Sequence, residues 1–205
     1  MPRERRELAT FEALAVVALA FIPLGNVPVA LPLLVVATLS RYLRGRSWAE
    51  VAGGGFERAA IGAAAGGLAL ALAIVAGTPV LESMGAWPIE WSQVPIVRGN
   101  ALAAVLAIMV VAGTSIAMEL ALRGWIVERV LELWPGSPGL PVLAGALAEA
   151  LLTPRELPAR LGAALFGAGL GWMYCAAGRS VVAPALARMT FQVGAVTLEA
   201  LRVIG

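Results

Sequence analysis

Seven stretches of apolar residues, separated by short segments that carry arginine or glutamate, dominate the pattern of the chain. Their approximate bounds are 8–24, 27–43, 60–82, 98–122, 139–153, 159–177 and 180–203. A helix needs about 20 mainly apolar residues to span a bilayer, with a range of about 17–25. Segments 27–43 and 159–177 lie at the short end of this range, and 139–153 is shorter still. The pattern therefore predicts an all-α, polytopic transmembrane helix bundle with about seven spans, within limits of six to eight.

The composition supports a membrane protein and excludes several kinds of chemistry. Hydrophobic residues make up 60% of the chain, charged residues 14%, and the mean hydropathy is +0.86, whereas soluble domains carry about 25% charged residues. Every basic side chain is arginine and every acidic one is glutamate, so the chain has no lysine, aspartate or histidine. A Ser-His-Asp triad, histidine-ligated zinc and a lysine Schiff base are therefore impossible. With one cysteine and scattered carboxylates as the only other ligands, we expect no metal and no cofactor.

The arginines predict the orientation of the chain in the membrane. The basic N-terminus runs into two apolar segments in succession, which indicates an uncleaved anchor rather than a secretory signal. With the N-terminus inside and seven spans, ten arginines lie on the cytoplasmic side and four on the other, as the positive-inside rule requires. The ten are Arg3, Arg5, Arg6, Arg41, Arg44, Arg46, Arg58, Arg123, Arg129 and Arg179, and the four are Arg98, Arg155, Arg160 and Arg202. The N-terminus is therefore expected on the inside. We also expect a prokaryotic cytoplasmic membrane as the location, membrane lipids as partners and no nucleic-acid partner.

Small residues and tryptophans predict how the spans are packed and placed. Glycine and alanine fill the runs 59–67 and 162–171, and such faces allow helix backbones to approach closely in lipid. Trp87, Trp91, Trp125 and Trp134 lie at or near segment ends, which predicts interfacial anchors.

Three polar sites lie inside the apolar segments, where a charge costs at least about 2.5–3.5 kcal/mol. Glu119 and Arg123 are four residues apart, so they share a helix face and are predicted to pair. Glu149 has no nearby partner in the sequence. Arg188 and Gln192 share a face at the same spacing, and Arg188 needs an acceptor because its guanidinium stays protonated. We therefore expect the three segments to meet, with Glu149 and Glu119 as the acceptors for Arg188.

The order of these sites resembles the CPBP family of intramembrane proteases, which includes CAAX prenyl endopeptidases and bacteriocin-processing or self-immunity proteins. That family has Glu-Glu-x-x-x-Arg, Phe-x-x-x-His and His-x-x-x-Asn on separate spans. Here Met-Glu-Leu-Ala-Leu-Arg-Gly occupies 118–124, Gly-Ala-Leu-Ala-Glu occupies 145–149, and Arg-Met-Thr-Phe-Gln occupies 188–192. The resemblance covers residues 99–195 well and implies one transmembrane domain over 1–205, with N-terminal spans and loops in 1–97 and a CPBP-like core in 98–203.

The family's catalytic groups are mostly replaced in this chain. In the family, the first glutamate and the second-motif histidine are thought to activate water, while the third-motif histidine and asparagine are thought to stabilise an oxyanion. The motif positions here are Met118, Glu119, Arg123, Glu149, Arg188 and Gln192. Only the second glutamate and the arginine of the first motif are kept, and methionine cannot act as a general base.

Three functions are compatible with this pattern. The first is a CPBP homologue that has lost catalysis and acts by binding a membrane protein or peptide, with a buried salt bridge between Glu149 and Arg188 closing the former active site. The second is a divergent intramembrane endopeptidase that uses Glu119 or Glu149 as base, with Arg188 and Gln192 as oxyanion donors. The third is an unrelated small permease or scaffold.

Overall fold

A computed structural model describes residues 12, 14, 15, 18, 28–83, 95–134, 136, 139–153 and 157–204 of the chain. These residues are predominantly helical, and no β-strand occurs among them. In chain order the helices are α1 (Ala30–Leu43), α2 (Ala49–Ala52), α3 (Phe56–Leu72), α4 (Thr78–Ser83), α5 (Ala101–Ala121), α6 (Glu128–Leu133), α7 (Gly139–Leu152), α8 (Leu157–Ala176) and α9 (Val182–Ala200). Two π-helical turns, Ala73–Gly77 and Leu122–Val127, connect α3 to α4 and α5 to α6 as continuous helix, and a 3-10 turn covers Pro95–Val97.

Proline marks the first turn of four helices. Pro32 in α1, Pro141 in α7, Pro158 in α8 and Pro184 in α9 each follow the first helical residue by one or two positions. Proline lacks an N–H group, but the first N–H groups of a helix have no intrahelical acceptor, so nothing is lost there. Helix α5 is instead preceded by Asn100, whose side-chain oxygen accepts the backbone N–H of Ala103 at 3.1 Å, as an N-cap does.

The described residues belong to two compact units. Unit 1 comprises Met1–Gly53 and Ala117–Val181, and unit 2 comprises Gly54–Ile116 and Val182–Gly205. Unit 1 therefore holds α1, α2, the π-turn Leu122–Val127, α6, α7 and α8, whereas unit 2 holds α3, α4, most of α5, and α9.

Unit 1 is built around two apolar clusters. Leu33, Ala37, Ala121 and Trp125 form one of them, and all four are fully buried. The other consists of Val51, Val127, Tyr174 and Val181, and it joins α2, the π-turn and the end of α8. Helix α1 ends at Leu43, and Gly45, which has a φ of +64°, lies in the turn that leads into α2.

Unit 2 is held together where α3 lies against α9. Gly62 and Gly66 in α3 approach the backbone of Ala183 and Ala187 in α9 so closely that an added Cβ would lie 2.2 and 2.1 Å from their carbonyl oxygens. Only glycine fits at such a contact, so the predicted packing role of the small-residue run 59–67 is present in α3. At the C-terminal end of α9, the Arg98 guanidinium lies 3.6 Å from the buried Glu199 carboxylate.

The predicted helical segments are found wherever the structure describes them. Two helices, Phe56–Gly77 and Ala101–Leu133, are long and apolar enough to cross a membrane, and α1 and α7 are apolar but shorter. Segment 8–24 lies outside the described residues except at four helical positions, and Trp87, Trp91, Arg3, Arg5, Arg6 and Arg155 lie wholly outside them.

Two predictions about the segment 98–122 are wrong. The helix does not end near residue 122 but continues through the π-turn to Leu133, because the charge of Arg123 is compensated inside the unit and does not force a loop. Trp125 is not an interfacial anchor: it is only 1% exposed, and its indole N–H donates to the Ser40 hydroxyl at 2.9 Å. Trp134, by contrast, is 53% exposed, as an interfacial residue would be.

Candidate functional site

A cluster of buried charged groups in unit 1 centres on Arg123, in the π-turn Leu122–Val127. Its side chain is fully buried. One terminal nitrogen donates to the Glu119 carboxylate at 3.2 Å and to the Glu149 carboxylate at 3.1 Å, and the other donates to the Gly167 carbonyl at 2.7 Å. One guanidinium group therefore connects α5, α7 and α8.

The sequence explains how each of these groups reaches Arg123. Glu119 is four residues earlier on the same helix, as the i, i+4 spacing predicts. Glu149 extends from α7, and Gly167 allows α8 to approach it, since an added Cβ would lie only 2.9 Å from the Cβ of Glu149. A π-turn changes the backbone pairing of a helix and is frequent at functional sites; here it carries Arg123 itself.

The pairing of Arg123 with Glu149 was not foreseen from the sequence. Sequence spacing identifies partners within one helix, but these two residues are 26 positions apart. The only available signal was the need of each buried charge for a partner, which Glu149 and Arg123 satisfy together.

Met118 lies beside this ion cluster in the sequence but belongs to an apolar environment. Its half-buried side chain packs against the cluster that contains Leu33, Ala37 and Trp125. A thioether is a weak acceptor and cannot take up a proton from water. The position that carries the first glutamate in the family motif therefore contributes packing in this chain.

Arg188 and Gln192 lie in unit 2, on α9. Arg188 is 5% exposed, and the side-chain oxygen of Gln192 accepts a hydrogen bond from the Ser115 hydroxyl at 2.6 Å. The predicted salt bridge between Glu149 and Arg188 would connect the two units, and it stays a prediction. Gln192 is thus tied to α5 within its own unit.

A second polar contact, made by Arg41, lies next to the same π-turn. In the sequence, Arg41 served only to predict the orientation of the chain. Arg41, 3% exposed, donates to the Gly124 carbonyl at 2.8 Å and to the Ser47 carbonyl. Its guanidinium also lies 4.8 Å from the ring centre of Trp48, within cation–π range. The ring in turn lies close to Gly124, where an added Cβ would be 3.0 Å from it. Arg41 and Trp48 therefore fix the backbone next to Arg123.

An exposed ion pair lies in the segment between α1 and the start of α2. Glu50 accepts the backbone N–H of Ser47 and the side chain of Arg46, both at 2.8 Å. These two hydrogen bonds, the backbone one first, hold the pKa of Glu50 below its ordinary value of 4.5.

The chemistry that the Arg123 cluster can perform is limited by its functional groups. It offers two carboxylates and one guanidinium, and no three His, Cys, Asp or Glu side chains come together to hold a metal ion in the part of the chain that the structure describes. No family model, curated protein or solved structure matches this chain.

Proposed function

We propose that this chain is a membrane-embedded homologue of the CPBP intramembrane proteases that has lost peptide hydrolysis and acts by binding a protein or peptide partner in the membrane. The observation that carries the proposal is the engagement of both candidate carboxylates, Glu119 and Glu149, by the buried Arg123. A general base must be within hydrogen-bond reach of the water that it activates. These carboxylates are instead bonded to a guanidinium group that is itself held by a backbone carbonyl.

The replaced motif positions support the same function. The chain contains no histidine, so the family's usual proton acceptor is missing, and Met118 packs with apolar side chains. What remains is a charge cluster that fixes three helices relative to one another. Such a cluster maintains a binding surface but does not provide a nucleophile.

The exposed side chains of the longest helix support placement in a membrane. Leu102, Leu106, Met109 and Val110 of α5 are each more than half exposed. A soluble protein rarely exposes so large an apolar face, whereas lipid solvates it. We propose that these helices belong to a CPBP-type bundle of about seven spans. The bundle lies in a prokaryotic cytoplasmic membrane, with its N-terminus on the cytoplasmic side.

Loss of hydrolysis is tested by incubating the purified protein, reconstituted in lipid nanodiscs, with a set of prenylated and transmembrane reporter peptides, followed by mass spectrometry of the products. We expect no cleavage above a protein-free blank. Cleavage that Glu149→Gln or Glu119→Gln abolishes, while the variant keeps the wild-type unfolding midpoint, would overturn the proposal in favour of a divergent endopeptidase.

Binding is tested in cells with a photoreactive residue at Leu147, which is 54% exposed on α7, the helix that carries Glu149. We expect a discrete crosslinked adduct with a membrane protein or peptide. The matched control has the photoreactive residue at Leu102, 70% exposed in unit 2. The same adducts from both positions, or none from Leu147, would contradict a specific partner at α7.

A further inference from the structure

A cluster of charged side chains in unit 1 lies where helix α6 ends. The Glu132 carboxylate is 2.5 Å from a terminal nitrogen of Arg129, 3.7 Å from one of Arg44 and 3.9 Å from one of Arg46. Glu132 belongs to the last turn of α6, where the helix dipole disfavours a negative charge. The helix alone therefore gives no reason for a carboxylate at this position, whereas three converging guanidinium groups do.

Two of the three arginines are held in place by other contacts, whereas Arg129 is bonded to Glu132 itself. Arg44 donates through its Nε and one terminal nitrogen to both oxygens of Glu12, at 3.1 and 2.7 Å, so that its remaining terminal nitrogen faces Glu132. Arg46 is held by Glu50 at 2.8 Å. Arg44 and Arg46 are therefore positioned independently of Glu132.

Burial divides the cluster into a closed base and an open rim. The side chains of Arg129 and Arg44 are 10% and 11% exposed, whereas those of Glu132 and Arg46 are 34% and 53% exposed. A ligand can thus reach the arginines from outside if the Glu132 side chain rotates away. That rotation moves a carboxylate into water, where it is well solvated.

The chemistry of the ligand follows from the number and shape of the donors. Guanidinium forks bind carboxylates and phosphates through parallel hydrogen bonds. Arg44 and Arg46 each direct one terminal nitrogen towards the Glu132 carboxylate from 3.7 and 3.9 Å, so that of the three arginines only Arg129 is within hydrogen-bond distance of one of its two oxygens. A phosphate group has more acceptor oxygens and satisfies such a site better.

An exposed apolar stripe leads to the same cluster along α1. Leu31, Val35, Leu39 and Tyr42 are 49%, 67%, 55% and 79% exposed, and their spacing of four, four and three places them on one face of the helix. Arg44 follows directly after this helix. A ligand with an anionic head and a hydrocarbon tail therefore matches both parts of the surface.

We infer that Arg44, Arg46 and Arg129 form a binding site for the phosphate of an anionic phospholipid, that the Glu132 carboxylate occupies the site when no lipid is bound, and that the acyl chains lie along the stripe on α1. This site goes beyond the proposed function. It requires that unit 1 lies in a bilayer, but it does not require that the chain has lost hydrolysis.

The test measures the affinity of the detergent-purified chain for a short-chain phosphatidylglycerol by titration, with the matching phosphatidylcholine as the zwitterionic reference. Arg46→Gln should weaken phosphatidylglycerol binding about fivefold, as expected for loss of one basic residue at a lipid surface. Glu132→Gln removes the competing carboxylate and should strengthen binding. Arg46 is half exposed, so its substitution leaves the fold intact, which equal unfolding midpoints verify.

Arg179→Gln is the matched control, because Arg179 is 57% exposed in the same unit but pairs with Glu128 at 4.0 Å instead of Glu132. It should leave the affinity for phosphatidylglycerol unchanged. Equal losses in Arg46→Gln and Arg179→Gln would reduce the site to general charge attraction, and unchanged or weaker binding by Glu132→Gln would also overturn it. Full competition by inorganic phosphate would assign the site to a soluble anion instead of a lipid.

Reconstitution separates this inference from the proposed function. A chain that cannot be assembled into phosphatidylcholine nanodiscs is not a membrane protein, and both proposals then fail. A chain that assembles but binds both lipids equally lacks only the phosphate site.

Discussion

The two units of this protein hold their helices together in different ways. In unit 1 a buried guanidinium group, that of Arg123, connects three helices through two carboxylates and a carbonyl oxygen. In unit 2 the closest contacts join backbone to backbone, where Gly62 and Gly66 lie against the carbonyl groups of Ala183 and Ala187.

This difference indicates where function is to be sought. A contact between small residues depends on shape alone, and it tolerates any environment that lets the backbones touch. A buried ion cluster is costly unless its charges are compensated, so it depends on the exact placement of each partner. Both proposals of binding therefore concern unit 1, and the glycine contacts of unit 2 offer a reference in which helices are held by close packing.

The largest effect is expected from removing the centre of the ion cluster. Arg123→Leu leaves two buried carboxylates without their shared cation, which should lower the free energy of unfolding by about 3–5 kcal/mol. The measurement is an unfolding titration of the protein in detergent micelles. Arg123→Lys keeps the charge but loses the planar guanidinium group that bonds three acceptors. Its free energy of unfolding should therefore lie between those of the wild type and Arg123→Leu.

A triple variant checks the cause of that loss. If uncompensated charge is responsible, adding Glu119→Gln and Glu149→Gln to Arg123→Leu should restore part of the stability. An unchanged free energy of unfolding in the triple variant would mean that Arg123 acts through packing alone, and the contrast between the units would then disappear.

A smaller effect is expected in unit 2, where the test is steric. In Gly66→Ala the new methyl group would lie 2.1 Å from the carbonyl oxygen of Ala187, so α3 and α9 must move apart, at a cost of about 1–3 kcal/mol. Gly67→Ala is the control on the same helix, because its methyl group would meet nothing within 4 Å. It should be neutral or more stable, since alanine favours helix over glycine. Similar free energies of unfolding for the two variants would refute the close contact.

The sequence predicts the elements of the fold better than their contacts. The apolar runs locate the helices, because the hydropathy of a segment is a local feature. The spacing of Glu119 and Arg123 predicts their pairing for the same reason. The bond from Arg123 to the Gly167 carbonyl has no such signal, since it depends on which faces of two separate helices meet.

The continuation of α5 into α6 shows where local sequence features mislead. Arg123 and Arg129 predicted the cytoplasmic end of a span, because charged residues normally mark a loop. Both charges are buried in the structure. Glu132 pairs with Arg129 at a local i, i+3 spacing, but the partners of Arg123 on α7 and α8, Glu149 and Gly167, cannot be identified from spacing along the chain. The same reason explains why Trp125 is a core residue and why the cluster around Glu132 was not anticipated.

The smallest effect concerns the exposed segment between α1 and α2, where unit 1 uses charge without burial. The pKa of Glu50 is lowered mainly by the Ser47 N–H and also by Arg46, so the ionised carboxylate stabilises this turn. Because the folded-state pKa is the lower one, that stabilisation is complete above pH 4.5 and is lost as the pH falls through the folded value. Hydrogen exchange of the Ser47 amide, corrected for its intrinsic rate, should therefore accelerate below pH 4.5. Glu50→Gln should abolish this pH dependence, whereas Arg46→Gln should keep most of it, because the backbone bond to Ser47 is the larger cause. A pH profile that Glu50→Gln leaves intact would show that another group controls the turn.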